Sequence, residues 1–188
     1  SGQAILSKYP LSNEETVVLQ KPINAPFYYN KFYLDRLVQI ADVQVGDRVV
    51  KVMNVHLEAF DPETTESQAK VVKQLYERYA SQMPVILMGD FNSSPGWANP
   101  EDKALDIITS AENLDTAIRQ PKDSENDYLT YTFSTGKPEK SIDHIFYNPA
   151  FIEMVDWDVL TETGEISDHF PVIMKFTFTS ENDSVVSE

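Results

Sequence analysis

Val85-Ile86-Leu87-Met88 constrains this chain more than any other stretch: four consecutive apolar residues, closed by Gly89. Such a run reads as a strand buried on both faces. It follows a segment in which Ala69, Val72, Tyr76, Tyr79 and Ala80 recur at three-to-four spacing, the apolar stripe of a helix. Asp61 stands there as N-cap with Pro62 at the first helical position, and Pro84 closes the connection to the strand. Ahead of the helix, residues 37–45 alternate loosely and reach Gly46-Asp47, a hairpin turn signal, after which residues 48–57 read as the return strand. Residues 4–6 and 17–19 read as brief strands, and the aromatic segment 27–33 fits loop or strand. A polar loop covers 89–96, a second helix lies near 101–111, and strands follow at 142–147, 152–160 and 172–178. Strands and helices are mixed, with no strict βαβ order, no internal repeat and no dividing linker.

The 188 residues fit one domain with a sizeable core, and 41% of them are hydrophobic. No run approaches the about 20 apolar residues of a membrane span. The net charge of −15 repels a polyanion such as DNA or RNA, whose binding leans on Lys and Arg. It does not exclude a phosphate substrate, because a bound metal ion reverses the local field. Cysteine is absent, which removes disulfides, thiolate metal sites and thiol nucleophiles. Residues 1–10 are too short and too polar for a signal-peptide core, and the sequence assigns no compartment.

Four short segments place Asp, Asn or His where a strand meets a loop. They are Asn54-Val55-His56-Leu57, Gly89-Asp90-Phe91-Asn92, Ser141-Ile142-Asp143-His144 and Ser167-Asp168-His169-Phe170-Pro171. A rigid scaffold aims side chains from such positions into a shared cleft. Val50, Val52, Asn54 and His56 share one strand face, whereas His144 adjoins Asp143 and turns to the opposite face, as a packed structural histidine does. The residue types suit phosphoester cleavage. Carboxylates at Asp90, Asp143 and Asp168 are hard ligands for Mg²⁺, His or Asp serves as base for a water nucleophile, and Asn92, His56 and His169 are donors for charge building at phosphorus. Taken singly, each has a plainer reading: Asp90 as a turn residue, a lone strand-end His as structural, 92–96 as a loop.

In this order, and with these strand flanks, the four segments resemble the signature of the endonuclease/exonuclease/phosphatase superfamily. That superfamily includes DNase I-like nucleases, sphingomyelinases and inositol-polyphosphate phosphatases. Residues 2–7 resemble one of its interior strands, and Arg36 precedes a strand as a family residue does. The resemblance runs from about Gly2 to Phe178. It implies a DNase I-like α/β (α+β) fold: a layered sandwich of two mixed β-sheets packed face to face with helices outside. One domain would cover 1–179, followed by a flexible acidic tail at 180–188. It further implies hydrolysis with Mg²⁺ or Mn²⁺ by in-line attack of an activated water. By position, Asp90 resembles the Asp that orients or activates this water, and Asn92 its partner, which contacts the phosphate. His56 resembles the strand-end His that donates to a phosphate oxygen, and Asp168 a metal-ligand carboxylate. His169 resembles the second His, Asp143 the carboxylate that fixes its tautomer, and Arg36 a phosphate contact.

Family members open with a strand bearing an Asn and a later strand ending in a metal-binding Glu. Neither motif is found here, and Glu14, Glu15 and Asp35 stand in other contexts. The resemblance therefore implies the C-terminal part of a longer enzyme, with an incomplete first lobe and an impaired metal site. Its unpaired sheet would favour self-association and poor turnover. Three functions compete: a small-molecule or lipid-headgroup phosphoesterase, which the acidic charge favours; a nuclease, for which the 15 Lys and Arg residues form no basic stripe; and a non-catalytic binding module that keeps the fold.

Overall fold

A computed structural model describes residues 2–23, 25–27, 34–95, 102–118 and 130–180. Alternating apolar residues around Gly46-Asp47 produce the expected hairpin: β2 (Leu37–Val45) pairs antiparallel with β3 (Arg48–His56). Gly46 takes φ 63°, a left-handed value that a Cβ resists, which is why a glycine opens this turn. β1 (Leu11–Val18) adds to β2 at the sheet edge, so the brief strand expected at 17–19 is longer than its apolar residues suggest.

Helix α1 (Pro62–Ala80) then crosses over, and β4 (Val85–Asp90) returns parallel to β3. Asp61 holds the N-cap position, but its carboxylate accepts the Thr64 hydroxyl at 2.8 Å instead of a backbone N–H. The second helix is short: α2 spans Ala104–Thr109, and Glu101 lies outside the described residues. A two-residue strand β5 (Asp115–Thr116), which no periodicity announces, and β6 (Asp143–Tyr147) complete a mixed sheet of order β1-β2-β3-β4-β6-β5. β7 (Ile152–Val159) and β8 (Val172–Phe178) form a second, antiparallel sheet of two strands.

Strand alternation divides the large sheet between two cores. Val38, Ile40, Met53, Val55, Val85 and Leu87 face α1 and α2. Val43, Val50, Val52, Ile86 and Ile145 face the small sheet, against Trp157, Met174 and Phe176. Val85 and Leu87 thus enter one core and Ile86 and Met88 the other, the double burial that the four-residue apolar run demands. Helices, large sheet and small sheet stack as the layered α+β sandwich expected from the sequence.

Residues 2–7 form no strand, contrary to the expectation for residues 4–6. Two side-chain-to-backbone bonds tie them to β3: Gln3 Nε2 donates to the Asn54 backbone carbonyl at 3.2 Å, and Asn54 Nδ2 to the Ala4 backbone carbonyl at 3.3 Å. Leu6 points to solvent, so three apolar residues in a row do not make a strand where no backbone edge receives them. Most of the aromatic segment 27–33 and residues 181–188 of the acidic tail lie outside the described residues.

Candidate active site

β3 and β4 run parallel and end together, with His56 in register with Asp90; β4 and β6 run antiparallel, with Asp90 in register with Asp143. Residues in register share a pleat, so His56, Asp90 and Asp143 stand in one row across three neighbouring strands, on the face turned to the small sheet. Gly89 makes the spacing possible. Its φ is 139°, and a Cβ there would lie 2.0 Å from the Val55 carbonyl oxygen of the neighbouring strand. His169 joins the row from the loop before β8. It bridges Phe133, their rings are 4.8 Å apart, and Phe170 N donates to the Thr132 carbonyl at 2.8 Å.

The resulting cluster is tight. His169 Nδ1 donates to Asp143 Oδ2 at 2.7 Å, and His169 Nε2 lies 4.0 Å from Asp90 Oδ2. His56 Nε2 lies 3.4 Å from the same Asp90 oxygen. The Asn92 backbone N–H donates to Asp90 Oδ1 at 2.8 Å, with Asn92 at φ 48°, while its side-chain amide donates to the Leu57 carbonyl at 3.0 Å. A cleft of about 240 Å³ opens beside the row, lined by Asn54, Asp90, Asp143, Phe170 and Pro171.

Burial, and then the charge of Asp143, push the Asp90 carboxyl up to about 6. The hydrogen bond to Asp143 raises His169 above the ordinary histidine value. His56 goes the other way, down to about 4, through burial first and the Arg36 guanidinium second. The two histidines are therefore shifted in opposite senses, His169 upward by its carboxylate partner and His56 downward, which leaves His56 neutral at physiological pH.

Arg36, expected at the phosphate, is instead 3% exposed and sits between His56 and Glu58. Its Nη1 donates to His56 Nε2, and its Nε lies 3.9 Å from Glu58 Oε2. A guanidinium has no acceptor, so His56 Nε2 accepts and the ring carries its proton on Nδ1. Asp168, expected as metal ligand, is exposed. Among the described residues, the acids and imidazole whose ligand atoms lie within 4.8 Å of one another are Asp90, Asp143 and His169. His144 does turn away from the row, as strand alternation requires, and is buried on the helix side of the sheet.

Two carboxylates and an imidazole are a donor set that suits Mn²⁺, and Mg²⁺ with retained waters. The raised Asp90 carboxyl fits the same reading: two acids crowded in a partly buried row are relieved by a cation. Asp90, Asp143 and His169 would hold it, with Asp168 next to His169 in the chain.

Glu58 and Phe133 escape the sequence reading. Glu58 follows His56 by two residues and continues its strand face, a signal that alternation offers. Phe133 reaches His169 across 36 residues, and no local pattern marks it.

A layered α+β sandwich with an acid–imidazole row at its sheet ends defines the class of this protein. The chain belongs to the Endonuclease/Exonuclease/phosphatase family, whose profile matches residues 1–169. Members of that family are phosphoester hydrolases. A UPF0294 protein of Vibrio cholerae is 28% identical over 125 residues, covering 66% of this chain and 39% of the relative. The chain thus spans about two fifths of the length of this curated relative. Among solved structures, an endonuclease/exonuclease/phosphatase family protein from Bacteroides thetaiotaomicron superposes with TM-score 0.67 at 20% identity, over 91% of this chain and 66% of that one. The mannosyl-6-phosphatase Bt3783 of Bacteroides thetaiotaomicron superposes with TM-score 0.66 at 20% identity, over 90% and 67%. These two likenesses show the fold.

Proposed function

We propose that this chain carries the catalytic face of a hydrolase that uses Mg²⁺ or Mn²⁺ to cleave a small-molecule or lipid-headgroup phosphoester, within one domain over 1–179. The observation that carries the reading is the row Asp90–Asp143–His169, whose ligand atoms lie within 4.8 Å at the ends of adjacent strands. When bound, the cation supplies positive charge to the phosphoryl oxygens and lowers the pKa of a bound water. The chain's own residues do the rest. Asp90, held by the Asn92 N–H, orients the attacking water and takes its proton. His169, its Nδ1–H tied to Asp143, is aimed so that Nε2 would join the two carboxylates in holding the cation. His56, neutral and fixed by Arg36 at Nε2, keeps its proton on Nδ1, the ring's remaining donor for a phosphate oxygen.

A nuclease is the second reading, and the net charge of −15 speaks against it. Against a non-catalytic module stands the convergence of Asp90, Asp143 and His169 at the strand ends beside an open cleft. Among the described residues, β7 and β8 pair only with each other, so each leaves an open edge. Self-association through these edges is part of this proposal, and a sedimentation coefficient that rises with concentration is its expected sign.

The test is hydrolysis of p-nitrophenyl phosphate, bis(p-nitrophenyl) phosphate and supercoiled plasmid, in Mn²⁺ and in excess EDTA. Slow hydrolysis of a chromogenic ester in Mn²⁺, none in EDTA, and an intact plasmid are expected. Hydrolysis that survives the chelator overturns the metal reading. Efficient plasmid nicking overturns the small-molecule one.

A further inference from the structure

His144 lies behind the active row. It follows Asp143 on β6, so its ring enters the helix-side core, where it is 2% exposed. The ring stands edge-on to Phe91 at 5.8 Å and stacks on Phe146 at 5.7 Å. Its Nε2 lies 3.2 Å from the Ser93 carbonyl and 3.0 Å from the Ser141 carbonyl. Carbonyls only accept, so Nε2 carries the proton and shares it between the two.

These carbonyls belong to different active-site segments. Ser93 directly follows Asn92, on the turn whose other end is Asp90; Ser141 stands two residues before Asp143. The Ser93 hydroxyl is already committed to Asp102 at 2.6 Å, and Thr132 Oγ1 accepts the N–H groups of Ile142 and Asp143, each at 3.1 Å. The β4–β6 ladder and the Phe91 N–H, which donates to the Ile142 carbonyl at 2.9 Å, pair the two segments up to Phe91, and the imidazole adds a tie beyond it, at Ser93.

We propose that His144 is a positioning residue: where the turn after Asp90 leaves the β4–β6 ladder, its single N–H clips that turn to the segment bearing Asp143, and so fixes the Asn92 N–H that holds the Asp90 carboxylate. The effect on turnover rests on the function proposed above; the clip itself does not. Removing the donor leaves two buried carbonyls without their partner, which the chain relieves by letting the turn move toward water. A displacement of about 1 Å at a catalytic group costs up to about a hundredfold in rate.

Three variants separate positioning from bulk stability. His144→Leu keeps the volume and removes the donor, His144→Gln keeps an N–H near the same place, and Val72→Ala removes packing from α1 in the same core as Phe91 and Phe146. Amide hydrogen exchange at Asn92 reads the clip, and kcat and KM for bis(p-nitrophenyl) phosphate in Mn²⁺ read its consequence. His144→Leu is expected to speed exchange and lower kcat, each by at least about tenfold, with KM within about twofold of wild type. His144→Gln is expected to restore both, and Val72→Ala to lower Tm while sparing kcat. Exchange in His144→Leu equal to wild type overturns the proposal, as does an equal kcat loss in Val72→Ala. Should His144→Leu fail to fold, His144→Asn, whose shorter amide cannot span both carbonyls, takes its place. A wild-type chain without turnover sinks the proposed function alone, since exchange still decides the clip.

Discussion

Asp143 Oδ2 accepts the Nδ1–H of His169 at 2.7 Å, joining a strand end to a loop 26 residues further on. The bond favours the imidazolium and raises its pKa. A raised histidine adds stability that is fully present below its unfolded value of about 6.5 and is lost as pH rises through the folded value. Asp143→Asn should therefore lower the His169 titration midpoint, read from its ring proton shifts by NMR. An unmoved midpoint would show that the carboxylate does not govern the ring.

Asp90 makes a prediction of opposite chemical origin. Its carboxyl is raised from 3.8 to about 6 by burial and by Asp143. An acid so raised contributes stability below 3.8 that is lost as pH rises through about 6. In metal-free protein at pH 8, Asp90→Asn should raise stability by about 1–3 kcal/mol, a gain that shrinks toward pH 4. Mn²⁺ should cancel the gain, because the wild-type carboxylate then has a cation to face. His56 titrates in the contrary sense, losing stability as pH falls from 6.5 to about 4, so the variant comparison is needed to isolate Asp90. Destabilisation by Asp90→Asn at pH 8 without metal would contradict this account.

These relationships were unequally legible in the sequence. The row His56, Asp90, Asp143 could be anticipated because each residue ends or opens a strand whose apolar pattern is plain. The double burial of residues 85–88 followed from four apolar residues in succession. The surroundings of Arg36 depend on Glu58, which continues the His56 face just beyond β3, and on a pairing of β2 with β3 whose register composition alone does not fix. Residues 2–7 misled for a related reason: apolar composition suggests a strand, but pairing is decided by a neighbouring edge distant in sequence. Phe133 likewise reaches His169 only through the path of the intervening chain.

The burial of Arg36 predicts a stability role where the sequence suggested phosphate binding. Arg36→Met leaves Glu58 as an uncompensated buried charge, at a cost of about 3–5 kcal/mol by urea unfolding. Adding Glu58→Gln should recover much of the loss. An Arg36→Met protein with wild-type stability and a raised KM would return Arg36 to the substrate.

Gly89 offers a test of the strand spacing itself. A Cβ there would stand 2.0 Å from the Val55 carbonyl oxygen. Gly89→Ala should cost about 3 kcal/mol or more, through backbone strain and displacement of β3 from β4. Thermal unfolding checks it, and a change within about 0.5 kcal/mol, as at an unconstrained surface position, would count against the described register.

The central claim is that Asp90, beside Asp143 and His169, drives metal-dependent phosphoester hydrolysis. The most direct measurement is kcat for bis(p-nitrophenyl) phosphate in Mn²⁺, wild type against Asp90→Asn, with folding of both verified. The account predicts low but measurable wild-type turnover and a loss of at least about a hundredfold in the variant. Equal turnover in the two proteins, or no wild-type hydrolysis above the uncatalysed rate, would contradict it.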